Sequence, residues 1–497
     1  MATNALTRPQ PAPAKSDHRW LVLVVVSVAQ LMVVLDATVV NIALPSAQAD
    51  LGFDNSQRQW IVTAYALAFG SLLLLGGRVG DIVGRKRTFL IALVAFAGAS
   101  ALGGASPSFG VLVIARTLQG AAGAMLAPAA LGTLVTTFQD PRDRGKAFGV
   151  FGTVAVAGGA VGLILGGILT QYLSWRWCMY VNVLFAAAAV FGALVYMSET
   201  KPAVRPRIDV GGTVLAALGL FGLVFGFAQA ESHGWSSSVT TTSLALGVAL
   251  LVAFVRVEQR VRQPLLPLRV VSDRSRGMAF AAVGIAGVAM FGLFLFLTYY
   301  LQLVKHFSPV LSGLAFLPMI GSIMISSNTS NIVTLPRFGP RAVITTGMLT
   351  GFVGLGYLSR ITVHSSYTGG VLPALILVGL AMGMVMAPSM NTATAGVQPQ
   401  DSGVAAALVS TMQQVGGSIG TAVMSTIAAS ATTSYTAAHA PVSGLAAAAA
   451  THGYAAVFLG SCVVFAVGGA LAAVLFPSKE RLAAMRESVI PAAAVQG

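Results

Sequence analysis

Charge is what this chain has least of. Only 9% of its 497 residues are Asp, Glu, Lys or Arg, where a soluble domain carries about 25%. Set against 56% hydrophobic residues, that scarcity excludes a water-soluble globular fold and points to repeated bilayer crossings. Acids are scarcer than bases, 15 against 29. The resulting net charge of +14 would suggest nucleic acid in a soluble protein. Here the basic residues gather in short segments between apolar runs, the pattern of membrane topology and not of a phosphate groove, so no nucleic-acid partner is expected. Cysteine is nearly absent: Cys178 and Cys462 lie in apolar runs far apart, which supports neither a disulfide nor a metal site. There is no Gly-x4-Gly-Lys-Ser/Thr loop, so ATP is not implied. No catalytic constellation appears, and neither an enzyme nor a cofactor is expected.

What is present is a long series of apolar runs. Runs of spanning length lie near 20–44, 58–77, 88–105, 110–137, 147–170, 177–198, 209–229, 241–257, 278–304, 310–333, 341–360, 369–396, 403–429 and 453–476. A helix needs about 20 residues to cross, so these are fourteen expected spans. The first run is too long for a cleavable signal peptide. Alternate loops differ in charge. Those on the side of the N-terminus hold Arg78, Arg85, Lys86 and Arg87, then Arg142, Arg144 and Lys146, then Lys201, Arg205 and Arg207, then six arginines from Arg256 to Arg276, then Arg337 and Arg341. The opposite loops hold Arg58, Arg176, Lys305 and Arg360. The positive-inside rule then places both termini in the cytoplasm and the segment from about 432 to 451 outside. His233, His306, His364, His439 and His452 fall in the external loops and read as solvated.

One acid breaks the pattern. Asp36 sits inside the first run, between Leu35 and Ala37. A charge at that depth costs several kcal/mol and usually marks an ion or proton path. Burial and nearby cations tune such a carboxyl, so Asp36 is read as a proton carrier; the alternative is a structural carboxylate. Arg116 is the basic residue deep in a span, and it cannot lose its proton. It needs an acceptor, and Asp36 is the deep acid available. The two are expected to communicate, directly or through Gln30, Gln119, Asn41 or water. The alternative is that Arg116 satisfies backbone carbonyls only.

Two cytoplasmic turns are alike. One runs from Gly77 through Asp81 and Gly84 to Arg85, Lys86 and Arg87; the other reads Leu335-Pro-Arg-Phe-Gly339-Pro-Arg341. They lie eight spans apart. If spans 7 and 8 are an insert, the other twelve divide into two equivalent sets of six, a common transporter plan. The expected organisation is a cytoplasmic tail at 1–19, a six-helix bundle at 20–200, two inserted helices and a linker at 201–276, a second bundle at 277–476 and a tail at 477–497.

Leu35-Asp36-Ala-Thr38-Val-Val-Asn41-Ile-Ala-Leu44-Pro45 resembles the first-span signature of the fourteen-span drug:proton antiporters of the major facilitator superfamily. The Gly77–Arg87 turn fits that superfamily's Gly-x3-Asp-x2-Gly-Arg-Lys/Arg loop, and Leu112 to Gly123, with Arg116, Gln119 and Gly120, fits its span-4 motif. The stretches from Phe294 to Pro318 and from Gly403 to Gly420 fit later spans. The resemblance covers nearly the whole chain. It departs in span 5, where Leu163 stands in place of a kinking proline, and in span 13, where Gln413-Gln414 replaces an Arg-Gln pair. The resemblance implies an all-α integral membrane protein of the major facilitator fold: two six-helix bundles plus two inserted helices.

Within that plan the acid in the basic turn makes Gly77, Asp81, Gly84, Arg85 and Arg87 a conformational latch; a plain topogenic loop is the alternative. Gly158, Gly162 and Gly166 recur every four residues and form a face for close helix packing or sliding. Candidate substrate contacts are Gln30, Asn41, Tyr65, Gln119, Phe291, Phe294, Tyr299, Met382, Met386, Met390, Asn391 and Gln413, because amide, aromatic and Met side chains suit adaptable apolar binding. The expected function is proton-coupled export of hydrophobic drugs or antibiotics through the cell membrane by a monomer, with protons and lipid as its other partners. The alternatives are transport of a lipid, siderophore or metabolite on the same scaffold, and a non-transporting sensor.

Overall fold

Hydrocarbon offers the backbone no water, so each apolar run must close its own hydrogen bonds, and helices result. The computed structural model describes residues 18–477 except 139, 200–208, 262, 263, 265, 396, 398–401, 441 and 443; a few helical side chains, those of Asp81 and His233 among them, are also outside the description. Helices α1 (His18–Leu51), α2 (Asn55–Arg58), α3 (Trp60–Val83), α4 (Arg85–Gly104), α5 (Phe109–Thr137), α6 (Pro141–Tyr172) and α7 (Trp177–Tyr196) come first. Then follow α8 (Val210–His233), α9 (Ser238–Glu258) and the short α10 (Leu268–Ser272). The last group is α11 (Arg274–Tyr299), α12 (Pro309–Ala315), α13 (Leu317–Thr329), α14 (Leu335–Leu358), α15 (Leu372–Thr394), α16 (Ser402–Ala438) and α17 (Leu445–Leu475). Single π-helical turns at Tyr300–Val304, Ser330–Thr334 and Tyr367–Val371 extend α11, α13 and α15.

Among the described residues, 10 helical stretches are long and apolar enough to cross a membrane. One of these, Pro309–Leu358, folds back at Gly339 and is two rods. With α3, α8 and α16 added, at 24, 24 and 37 residues, the helices form fourteen rods. The expected runs match them to within a few residues, with one correction. The segment expected as a loop between the last two runs is mostly helix, since α16 continues to Ala438 and α17 starts at Leu445. Residues 430–438 and 445–452 are rich in Ala, Ser and Thr. They lack the hydropathy of a span but not the capacity for helix. His452 is accordingly on a helix, exposed, with its ring 4.9 Å from that of Tyr435. His439 follows the end of α16, where its ring stacks on Tyr435 at 4.0 Å.

The rods alternate in direction. At the near end, Arg19 pairs with Asp143 at 2.9 Å, Lys86 donates to the Met197 carbonyl and Arg274 to that of Val474. At the far end, Trp175 donates to Asp50, Arg176 to the Ser106 carbonyl and Lys305 to that of Val363. The packing repeats. In the first six rods α1 lies on α6 and α7, α3 on α5, and α4 on α5 and α7; in the last six α11 lies on α16 and α17, α13 on α15, and α14 on α15 and α17. The two near-end turns share a physical cause as well as a sequence. Gly84 (φ 101°) and Gly339 (φ 79°) each reverse the chain in a conformation that side chains with a Cβ rarely adopt. Helices α8 and α9 pack on one another, and α8 lies against α3 and α16.

Small residues set the close contacts. A Cβ on Gly162 would collide with Thr38 Oγ1, and one on Gly166 would sit 3.1 Å from Val39 Cα. The stripe therefore seats α6 on α1. One position round, Gly167 meets Val310 of α12, and Gly313 abuts the Leu163 carbonyl. These contacts join the two sets of rods at the far end. Gln302 Nε2 donates to the Ile42 carbonyl at 3.1 Å, and Gln171 Oε1 accepts from the Val310 amide at 3.3 Å. At mid-height Gly70 of α3 faces Gln414 and Val415 of α16.

Candidate functional site: a sealed carboxylate and its donors

Asp36 is fully buried on α1, and three side chains donate to it. Arg116 Nη1 reaches Oδ2 at 2.6 Å; Gln119 Nε2 and Asn182 Nδ2 reach Oδ1 at 3.0 and 2.7 Å. Arg116 is also buried, at 2% exposure. It donates to the Ile61 carbonyl through Nε at 3.1 Å and to Gln119 Oε1 at 2.9 Å, and its guanidinium lies 4.4 Å above the Tyr65 ring. Gln119 Nε2 also reaches Ser100 Oγ of α4 at 2.7 Å.

Helix geometry builds this cluster. Arg116, Gln119, Gly120 and Gly123 are spaced i, i+3, i+4 and i+7, so they share one face of α5. The two glycines let α3 come close: Gly120 abuts the Tyr65 carbonyl and Gly123 the Phe69 ring. That approach lays Tyr65 under Arg116 and presents the Ile61 carbonyl to it. Two opposite charges out of water are tolerable when they pair and their remaining hydrogen-bonding groups are used. Both conditions hold at this pair.

The expected communication between Asp36 and Arg116 is thus direct, with Gln119 as a shared partner. Asn41 is elsewhere, half-buried and donating to the Ala37 carbonyl, and Gln30 is half-buried. Tyr65 and Gln119, taken as substrate contacts, belong to the carboxylate cluster. Phe294 is buried with its ring 5.1 Å from that of Phe316, and Met382 is in the core. Phe291 packs against Gly417, and Met386 and Gln413 are half-buried. Asn391 donates to Asn331 at 2.9 Å, and Met390 is exposed. Phe294, Tyr299 and Met382, with Phe291 and Met386 packed against them, share one apolar core.

The α3–α4 turn holds on to helices of its own set, and Arg78 just before it donates to the Pro264 carbonyl of the linker at 2.9 Å. Arg85 donates to the Gly132 carbonyl of α5, Lys86 to the Leu194 and Met197 carbonyls, and Arg87 pairs with Glu199 at 3.6 Å. Gly77 lies against Pro128. The side chain of Asp81 is outside the described residues.

Three participants escaped the sequence reading. Asn182 and Ser100 are neutral polar residues inside apolar runs, the same signal that singled out Asp36, only weaker. Arg58 is the larger miss. Counted as a loop charge, it is 6% exposed, with its guanidinium 3.3 Å from the centre of the Tyr299 ring. It also donates to Gln48 Oε1 at 3.0 Å, and the Tyr454 ring of α17 lies beside that of Tyr299, with centroids 6.4 Å apart. Tyr299, another expected substrate contact, is therefore part of a far-end clamp between the two sets of rods.

A two-fold repeated set of six rods, with a buried ion pair in one set, defines a membrane transporter scaffold. Residues 26–421 match the Major Facilitator Superfamily, and the chain belongs to that family. It is 47% identical to the puromycin resistance protein pur8 of Streptomyces alboniger, over 94% of this chain and 93% of that protein. It is 38% identical to the cephamycin export protein CmcT of Amycolatopsis lactamdurans, over 84% of this chain and 87% of that one. Among solved structures it is similar to a bacterial homologue of the human lysosomal transporter Spinster in an inward-facing, unoccupied conformation. The TM-score there is 0.65 at 13% identity, over 93% of this chain and 98% of that one.

Proposed function

We propose that this protein exports a hydrophobic antibiotic across the cell membrane in exchange for protons, by alternating access between two six-helix bundles. The family membership and the resistance and export proteins it resembles support the exporter reading. The proton reading rests on one observation: the fully buried Asp36 is hydrogen-bonded to three donors, the charged one being Arg116. A carboxylate in that position is stable while ionised and paired. Taking up a proton removes its charge and frees Arg116, which keeps the Ile61 carbonyl, Gln119 Oε1 and the Tyr65 ring as partners. The cation then stays put while the acid changes state. A proton moving inward supplies about 2.3 kcal/mol per 100 mV and about 1.4 kcal/mol per pH unit. That sustains a substrate gradient of a few powers of ten.

In this reading the near end is cytoplasmic with both chain termini, and the far end faces outside and is shut. The bundles comprise 20–200 and 277–476, with 201–276 as the insert. The Gly77–Arg87 turn acts as a latch that stabilises one of the two states, and the transporter works as a monomer. The test is a susceptibility panel in a sensitive host, puromycin and cephamycin included, paired with pH-gradient measurements in vesicles. Wild type protects the host, and the active compound dissipates the gradient; Asp36→Asn does neither while remaining in the membrane. Equal dissipation by the variant would remove Asp36 from the proton path, and protection against no compound would overturn the exporter reading.

A further inference from the structure

Of the three donors to Asp36, Asn182 has an end to spare. It is fully buried on α7 and gives Nδ2 to Asp36, yet its own Oδ1 has no partner among the described residues. Gln119 lacks that freedom, because its Oε1 accepts from Arg116 while its Nε2 serves Asp36 and Ser100. Arg116 can only donate. A buried carbonyl without a partner is costly, so such exceptions call for an explanation. The two ends of an amide exchange by a half-turn of its terminal torsion. With Nδ2 forward, Asn182 supports the carboxylate. With Oδ1 forward, it accepts the O–H of the acid. One end is unpaired in either orientation, so the leftover cost is similar in both states.

We propose that Asn182 is a positioning residue for proton exchange at Asp36, turning its amide as the proton comes and goes while Arg116 and Gln119 keep their places. This deepens the reading of Asp36 as the proton carrier and rests on it. Uptake forms one O–H bond at Oδ1 of Asp36 and neutralises the carboxylate, the proton coming from water; release reverses the step. The ionisable groups that face Asp36 are Arg116 from α5, Tyr65 from α3 and Cys178 from α7. At the height of Asp36, the stretches of α6, α11 and α12 packed on α1 carry no ionisable residue. Asn182 is therefore a neutral hydrogen-bonding group that can shift the exchange without adding a charge.

The test reads Asp36 directly, by pH-difference infrared spectroscopy of the purified full chain in lipid. Its carboxyl stretch is the band missing from Asp36→Asn. Asn182→Leu keeps the volume and loses both hydrogen-bonding ends. The band should then appear at a pH higher by about one unit, because the hydrogen bond lost to the carboxylate is stronger than the one lost to the neutral acid. Asn182→Ser, whose hydroxyl donates and accepts, should restore most of the wild-type profile. A profile unchanged in Asn182→Leu, or displaced as far in Asn182→Ser, overturns the assignment. Because this readout needs no substrate, a shifted band in a protein that protects against no antibiotic would leave Asn182 assigned and sink the exporter reading alone.

Discussion

Tyr299→Leu should open the far end. Arg58 is held by Gln48 on its own side of the molecule and by the Tyr299 ring on the other. Only the partner across the divide must let go when the ends separate. A desolvated guanidinium over an aromatic face is worth about 2 kcal/mol. Removing the Tyr299 ring therefore favours the separated state by about 30-fold. A population closed to about 99% would fall to about three quarters. Spin labels at Tyr172 and Leu311, both exposed at the far ends of α6 and α12, report that separation by pulsed electron resonance in nanodiscs. Tyr299→Leu should add a long-distance component that Tyr299→Phe does not, because Phe keeps the π face. Identical distance distributions for Leu and wild type would show that the clamp carries no weight, and the far end would then be held by the backbone contacts at Gly167 and Gly313.

Arg116→Ala should lower stability by about 3–5 kcal/mol, the usual effect of removing one member of a buried pair. Arg116→Lys should be milder, since it keeps the charge and loses the fork that reaches Ile61 and Gln119 together; thermal unfolding in detergent orders them, and equal losses would refute the role of the fork. Gly162→Val should be severe, because even its Cβ collides with Thr38, whereas Gly152→Ala, with nothing within 4 Å, should express normally; similar yields would contradict the α1–α6 contact. For topology, a cysteine at Val442 should react with an impermeant maleimide in intact cells and one at Arg269 should not, and the reverse pattern would invert the orientation.

Hydropathy made the rods legible because the bilayer requires apolar length and a self-satisfied backbone in every span. It failed between Ser430 and Thr451, where helix persists outside any apolar requirement. Asp36 and Arg116 stood out because a charge in hydrocarbon is expensive wherever it sits. Asn182 and Ser100 did not, because a neutral amide or hydroxyl inside a span is common, and only its direction tells packing from function. Arg58 was misread for a related reason. It sits at the edge of its run, and position along the chain says nothing about whether Tyr299 will fold over it. The substrate contacts were least legible. They were chosen by residue type, and type alone sorted Tyr65 and Gln119 with Tyr299, which the fold sends to two different places.

The proton site and the far-end clamp share two short pieces of backbone. Ile42, whose carbonyl takes Gln302, lies six residues beyond Asp36 on α1, about 9 Å along the helix. Ile61, whose carbonyl takes Arg116, lies three residues beyond Arg58 at the start of α3. A shift of α1 against α3 therefore disturbs both places at once, and neutralising Asp36 removes the strongest tie between those helices, the one through Arg116. If the two sites bias one motion, Asp36→Asn should enlarge the same long-distance component between labels at Tyr172 and Leu311 that Tyr299→Leu enlarges. Combined, the two substitutions should depart from the sum of their separate free-energy effects, as groups coupled through a shared backbone shift do. Coupling would be read as that departure in a double-mutant cycle on the closed-to-open ratio. Strict additivity, with Asp36→Asn leaving the distances untouched, would mean that protonation and far-end opening are driven through different helices.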